Sequence, residues 1–411
     1  MPGRGPGAVA EPGWLDLAPD EPFGLDNLPY GIFGEGSDDR RVGVAIGAYV
    51  LDAAAVAERL APGLVDLLAR PTLNALLAAG APRWHELRER LREWLTAPAA
   101  REVVASHLRG VAAVRLHLPF DVADYVDFYS SLHHAENVGR IFRPDQPPLL
   151  PNWRHVPVAY HGRAGTVVVS GTPIRRPWGQ RRSPGQERPE FGPSTRLDIE
   201  AEVGFVVGPP TEPGRRVGPA EFEEFVFGVC LVNDWSARDI QSWEYVPLGP
   251  FQGKSFATSV SPWIVPVAAL EAARVPAPPQ DPPVLEHLVD PPRWTMNITL
   301  AVELNGHTVS EPPFAGMYWT PAQQLAHLTA NGARLRTGDL YASGTVSGPE
   351  RHQRGSLLEL SWNGKTPLEL PDGSTRTFLL DGDQVTIRAT APGPGGSVIG
   401  FGSVTGTVVP G

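Results

Sequence analysis

From Leu116 to the C-terminus, apolar residues come in short runs, and Pro or Gly interrupts almost every one of them. Proline removes a backbone donor and fixes φ, so it ends helices and interior strands, while glycine supplies tight turns. A chain punctuated in this way builds many short strands joined by turns, as in a sandwich or roll. The pattern predicts strands at 166–170, 199–207, 225–232, 294–304, 357–362, 384–389 and 404–409. Segments 181–195 and 277–293, rich in Pro and polar residues, predict surface loops. One helix is predicted at Pro321–Thr329, where Thr320 can cap the first turn. No repeat of fixed period is present, which removes support for a solenoid or propeller.

The first part of the chain, up to about residue 115, reads differently. Residues 41–51 (RVGVAIGAYVL) alternate as a half-buried strand would, and helical spacing follows at 52–68 and 82–95. This predicts a small α+β unit ahead of a larger, mainly β region. His85 and His107 fall within the helical patterns and read as surface or structural residues. The 411 residues give room for roughly two domains. With 44 Gly and 45 Pro the chain is rich in turns yet below the level that marks disorder, and 11 Trp help to supply a core.

Net charge is −10, and no basic block is interleaved with aromatics, which argues against a nucleic-acid partner. No run approaches the roughly 18 apolar residues of a membrane span. The opening residues lack the apolar stretch of a secretory signal, and a lone Cys230 cannot form an internal disulfide. A cytoplasmic, reducing setting is the expectation.

Two nucleotide motifs fail on inspection. In GPFQGKS, residues Gly253, Lys254 and Ser255 imitate the end of a phosphate loop, but the first glycine would have to stand where Leu248 does. The late GFGSVTG lacks the third glycine interval and leaves no room for a helix. There is no G-x-S-x-G elbow, and the single Cys lies inside an apolar run, so an acyl-enzyme mechanism has no support.

Carboxylates in β-like surroundings are more informative. Glu200 and Glu202 stand two apart in DIEAEVGF, so a strand places both on one face. Like charges side by side need a solvated surface or a cation, and oxygen-only donors favour Mg²⁺ or Ca²⁺. Asp234 closes a hydrophobic strand pattern, and Asp127 lies in the polar segment YVDFYSSLHHA. His133 and His134 are adjacent, so only one can face a given site, where an imidazole could act as general base. Around Asp234 lie Arg238, Gln241, Tyr245 and Lys254, donors suited to an anion or a developing oxyanion. Lysine occurs only at 254 and 365. Where arginine serves almost every cationic position, a surviving lysine points to a need for a compact ammonium. Read alone, these groups are equally compatible with an exposed strand face and a salt-bridged loop.

At these residues the chain resembles the fumarylacetoacetate hydrolase family. The matching stretches run in order along nearly the whole chain: PYGIFG, DFYSSLHHAENVG, LLPNWRHVPVAYHGRAGTVVVSGTPIRRPWGQ, LDIEAEVGFVVG, VNDWSARDIQSWEYVPLGPFQGKSFATSVSPW, GDLYASGTVSGPE, GSLLELSW and IGFGSVTGTVVP. The resemblance implies an SH3-like N-terminal domain (1–117), a larger C-terminal β-roll domain (118–411) and a homodimer. It implies metal-dependent hydrolysis of the carbon–carbon bond of 4-fumarylacetoacetate to fumarate and acetoacetate, the last step of tyrosine and phenylalanine breakdown. Asp127, Glu200, Glu202 and Asp234 would hold Ca²⁺ or Mg²⁺, with Lys254 and Thr258 at a further metal position. His134 would be the general base and Glu359 its orienting carboxylate. Arg238, Gln241 and Lys254 would hold an oxyanion, and Tyr129, Arg143, Tyr160, Gln241, Tyr245 and Thr345 would contact substrate. Leu132 and His133 depart from the polar residues the family pattern suggests. The rival expectations are a hydrolase of acylpyruvates or related diketo acids and a non-catalytic metal-binding β protein, the latter opposed by the presence of both His134 and Glu359.

Overall fold

The computed structural model describes residues 15, 17–36, 39–183 and 185–411. Near the N-terminus, β1 (Tyr30–Gly34), β2 (Arg41–Ile46) and β3 (Tyr49–Asp52) form an antiparallel meander. The stretch read as one strand is two, because Gly47 takes a φ of +53° and turns the chain back on itself. Asp52 caps α1 (Ala53–Leu60), its carboxylate accepting from the N–H of Ala55 at 3.1 Å. The helix stops earlier than its pattern suggested, since Pro62 has no N–H to extend it. The second predicted helix is present as α2 (Ala81–Thr96), which buries Trp84, Leu87, Leu91, Trp94 and Leu95. Each fully buried leucine contributes about 2 kcal/mol. This apolar face shares a core with Tyr125, Val206, Phe227 and Leu340 of the larger region, so the two parts pack tightly.

In the larger region, β4 (Tyr125–Phe128) leads into α3 (Leu132–Phe142), followed by β5 (Ala159–His161) and a hairpin of β6 (Trp178–Arg181) and β7 (Glu190–Pro193). Next come β8 (Ala201–Val207), β9 (Val226–Asp234), α4 (Arg238–Glu244), β10 (Thr258–Val260) and β11 (Trp263–Pro266). The chain ends through β12 (Thr299–Leu304), α5 (Pro321–Thr329), β13 (Leu340–Ala342), α6 (Leu357–Leu360), β14 (Gln384–Pro392) and β15 (Val398–Val409). Helix α5 has the expected Thr320 cap, reinforced by Gln323 in a capping box. Segment 277–293 stays largely irregular, but 181–195 contains β7, so it is part of a hairpin arm and not only a loop.

Strand neighbours across the main sheet run β3-β2-β1-β11-β9-β8-β13-β4-β5. Strands that are far apart in sequence therefore lie side by side: Ala201 pairs with Asn233, and Ala342 pairs with Asp127. β9 is buried along its whole length, which explains its unbroken apolar run VFGVCLV. A second sheet containing β12, β14 and β15 contributes Leu300, Val302, Val385, Ile387 and Val404 to a core shared with Val203, Phe205 and Leu231 of the main sheet. The result is the strand-rich α+β class that the punctuation predicts. Among the described residues, no helix is long and apolar enough to cross a membrane.

Candidate active site

Adjacent strands bring four carboxylates to one place. Asp127 comes from β4, Glu202 from β8 with Glu200 just before it, and Asp234 from the last position of β9. One oxygen from each lies within 4.8 Å of the others, and all four residues are buried. Burial and mutual repulsion push the carboxyls of Asp127 and Glu202 well above the ordinary range. For Glu200, burial acts in the same sense, but the Lys254 ammonium and Arg238 guanidinium overcome it and hold that carboxyl well below its usual value.

Hydrogen bonding is uneven across the cluster. Asp234 accepts from Lys254 Nζ at 2.7 Å, from Tyr160 at 2.6 Å and from Thr258 at 3.0 Å, while Lys254 also bonds Glu200. Both oxygens of Glu202 and Oδ1 of Asp127 are buried without a partner among the described residues. Buried anionic oxygens without donors are costly. An oxygen-only donor set of this kind fits a hard divalent cation. Of the two lysines, Lys254 is thus sealed in this network, whereas Lys365 lies exposed on the surface.

A second group stands beside the first. Ser131 caps α3, its hydroxyl accepting from the N–H of His134 at 3.2 Å. His134 Nδ1 lies 2.7 Å from Glu359, and its Nε2 lies 4.0 Å from Glu200. The ring held by Glu359 is therefore that of His134, while His133 is half-buried one position away. Glu359 also accepts from Asn137 at 3.0 Å, Ser347 at 3.0 Å and Ser356 at 2.8 Å. Burial would raise its pKa, but the His134 ring and these donors outweigh burial and bring the carboxyl down to about 2.

Glu359 sits on a helical turn, α6, and not on the strand that its leucine-rich run suggested. A short apolar run does not distinguish the two by periodicity. Here the first-turn donors decide: Ser356 accepts from the N–H of Glu359, and the buried Asp198 carboxylate accepts from Leu357 at 2.7 Å and Leu358 at 3.0 Å.

Arg238, at the start of α4, donates through Nε to Asp198 at 2.8 Å and through Nη1 to Glu200 at 2.8 Å and Gln241 at 3.1 Å. Its Nη2 is buried without a partner among the described residues. The Tyr129 ring meets the His134 ring edge-on at 5.3 Å. Thr345 Oγ1 is buried without a partner among the described residues, on a segment brought close to β4 by Gly344. At that glycine, φ is +78° and a Cβ would lie 2.2 Å from the carbonyl of Phe128. Arg143 closes α3, with Nη2 on the carbonyl of Pro148 at 3.2 Å and a buried Nε that has no partner among the described residues. Tyr245 is 37% exposed beyond α4 and makes no side-chain hydrogen bond among the described residues. Tyr160 was expected only at substrate, yet its hydroxyl bonds Asp234 of the carboxylate cluster. Cys230 is inert here, since burial pushes its thiol up to about 12.

Sequence reasoning missed Asp198, Asn137, Ser347 and Ser356. Two of them left a signal: Asp198 continues the period of two that links Glu200 and Glu202, and Asn137 follows His134 by three residues on one helix face.

A buried oxygen-donor centre next to a His–carboxylate pair, carried on a β-rich frame, has the layout of a metal-assisted hydrolase. Residues 124–409 match the C-terminal part of the fumarylacetoacetate (FAA) hydrolases, and residues 26–119 match the fumarylacetoacetase N-terminal part. The chain belongs to the fumarylacetoacetate hydrolase family. It is similar to the fumarylacetoacetase of Homo sapiens, with 47% identity over 97% of this chain and 98% of the human protein. The Caenorhabditis elegans fumarylacetoacetase is also 47% identical, over 97% of this chain and 99% of that protein. Among solved structures, the fumarylacetoacetate hydrolase of Exiguobacterium antarcticum shares the fold, with a TM-score of 0.55 at 17% identity over 93% of this chain and 100% of that one.

Proposed function

We propose that this protein hydrolyses the carbon–carbon bond of 4-fumarylacetoacetate, giving fumarate and acetoacetate, with Ca²⁺ or Mg²⁺ held by Asp127, Glu200, Glu202 and Asp234. The observation that carries this reading is the placement of His134. Its Nδ1 is fixed by Glu359, and its Nε2 faces Glu200 of the carboxylate cluster across 4.0 Å. A base oriented on one nitrogen and open on the other is arranged to take a proton from water.

Water attacks the substrate carbonyl as His134 Nε2 accepts its proton, and Glu359 stabilises the imidazolium through Nδ1–H. The resulting oxyanion is held by donors that have no other role: Arg238 Nη2 lacks a partner, and Gln241 uses its oxygen on Arg238, leaving its amide NH₂ free. Lys254 adds positive charge on the same side. The carbon–carbon bond then breaks, its electron pair leaves as the acetoacetate enolate, and the imidazolium returns the proton to carbon. When bound, the cation supplies Lewis acidity toward the diketone oxygens. Tyr129, Tyr160, Tyr245 and Thr345 would line the substrate, and Arg143 would pair with a substrate carboxylate. Lys254 and Thr258, both bonded to Asp234, would border the further metal position.

The proposed domain division lies at 117/118, supported by the two family matches changing over between residues 119 and 124. Assembly as a homodimer and a cytoplasmic location complete this reading, both resting on family likeness. The test is a continuous absorbance assay with fumarylacetoacetate on metal-stripped protein, before and after addition of Mg²⁺ or Ca²⁺. Metal-dependent loss of the diketone with equimolar fumarate and acetoacetate is expected. Turnover of an acylpyruvate alone would transfer the protein to that substrate class.

A further inference from the structure

Asp198 is fully buried and belongs neither to the carboxylate cluster nor to the base pair. Its Oδ1 accepts from the N–H groups of Ile199 at 2.8 Å and Leu357 at 2.7 Å. Its Oδ2 accepts from Leu358 at 3.0 Å and from Arg238 Nε at 2.8 Å. A carboxylate has about four lone-pair sites, and all four are filled. Nothing remains with which Asp198 could bind a cation or substrate, so any effect it has on the reaction passes through its partners. Those partners are the turn that carries Glu359 and the guanidinium that carries the free Nη2 donor.

We propose that Asp198 is a positioning residue that fixes the Arg238 donor and the Glu359–His134 pair in register with each other through one buried carboxylate. By pinning Nε of Arg238 while Nη1 is held by Glu200 and Gln241, it leaves Nη2 as the donor directed to the reacting oxygen. By closing the first turn of α6, it sets the height of the Glu359 carboxylate under His134. Serine could have capped α6 alone, as Ser356 partly does, but only an acceptor shared with Arg238 ties the two arms together. The inference deepens the hydrolytic reading and rests on its assignment of Arg238 and His134.

Asp198→Asn keeps the shape but places an NH₂ against donors, leaving part of the set unpaired. In the full-length, metal-loaded protein, kcat per bound metal is expected to fall roughly 10²-fold with KM changed by less than about threefold, the scale of a small misplacement of reacting groups. In the same variant, the Nδ1 proton resonance of His134, followed by nitrogen-15 histidine labelling, should shift or broaden while the metal content stays at the wild-type level. An unchanged resonance together with kcat within about threefold of wild type would overturn the inference. If Asp198→Asn does not fold, Asp198→Ser tests the same link, since its hydroxyl can still accept from the α6 turn but cannot bond Arg238 Nε as well. Its kcat should fall comparably, and retention of wild-type kcat would overturn the role. Rates are taken on whichever diketo acid the wild type cleaves, and the resonance needs no substrate. Failure on fumarylacetoacetate therefore refutes the substrate reading without touching this one.

Discussion

Glu359 and Glu202 are both glutamates without solvent exposure in the same site, yet their surroundings are opposite. Glu359 is surrounded by an imidazole, an amide and two hydroxyls, and its carboxyl is held down at about 2. Glu202 has no donor on either oxygen among the described residues, and burial, together with repulsion from the neighbouring carboxylates, pushes its carboxyl up. A satisfied buried anion is a fixture that the protein completes by itself. An unsatisfied one is completed from outside, and here the fitting partner is a divalent cation. On the proposed reading, the same residue type orients a base in one case and holds a cation in the other, according to its donors.

The hardest break of this contrast is removal of a cluster member. Asp234→Ala or Glu202→Ala should eliminate stoichiometric metal by elemental analysis and reduce turnover to background, and normal metal content in both would reject the ligand set. Next comes the base: His134→Ala should retain metal and fold while kcat falls by roughly 10² to 10⁴. His133→Ala should remain near wild type, and the reverse ranking would move the base by one residue.

The contrast is sharpest in the sign of stability changes. Metal-free Glu202→Gln should be more stable than metal-free wild type by up to about 3 kcal/mol, because a buried carboxyl crowded by like charges is replaced by a neutral amide. At a cation concentration 100 times the wild-type Kd, wild type gains about 2.7 kcal/mol and the variant loses most of that gain. Glu359→Gln should be destabilising with and without metal. Equal signs for the two glutamates in thermal unfolding of the stripped protein would dissolve the distinction.

The smallest effect is in pH. The folded-state pKa of Glu359 is depressed from 4.5 to about 2, so its contribution is fully present above about pH 4.5 and is lost as pH falls toward 2. Denaturant titrations should show the stability gap between wild type and Glu359→Gln constant at neutral pH and shrinking through that window.

What was legible in the sequence was local. The Thr320 cap and helix α5, the turn-rich strand pattern and the shared face of Glu200 and Glu202 all follow from spacing within a few residues. The α6 turn was not legible because part of its cap, Asp198, is 159 residues away from Leu357. The β6–β7 hairpin was hidden by the polar and proline-rich stretch between and within its strands. Which histidine joins Glu359 depended on the α3 register set by Ser131. The family likeness pointed to the imidazole that Glu359 holds but gave no hint of the unpaired oxygens that distinguish the two kinds of carboxylate.

The placement of the two lysines carries a practical consequence. With Lys254 sealed among Glu200 and Asp234, Lys365 offers the one lysine ammonium at the surface. Acylating probes and surface-immobilisation reagents therefore meet a single lysine side chain on the native protein, six residues beyond Glu359 in sequence. With the α-amine blocked, a fluorophore or a support can be attached there in one defined orientation, with no cysteine engineering.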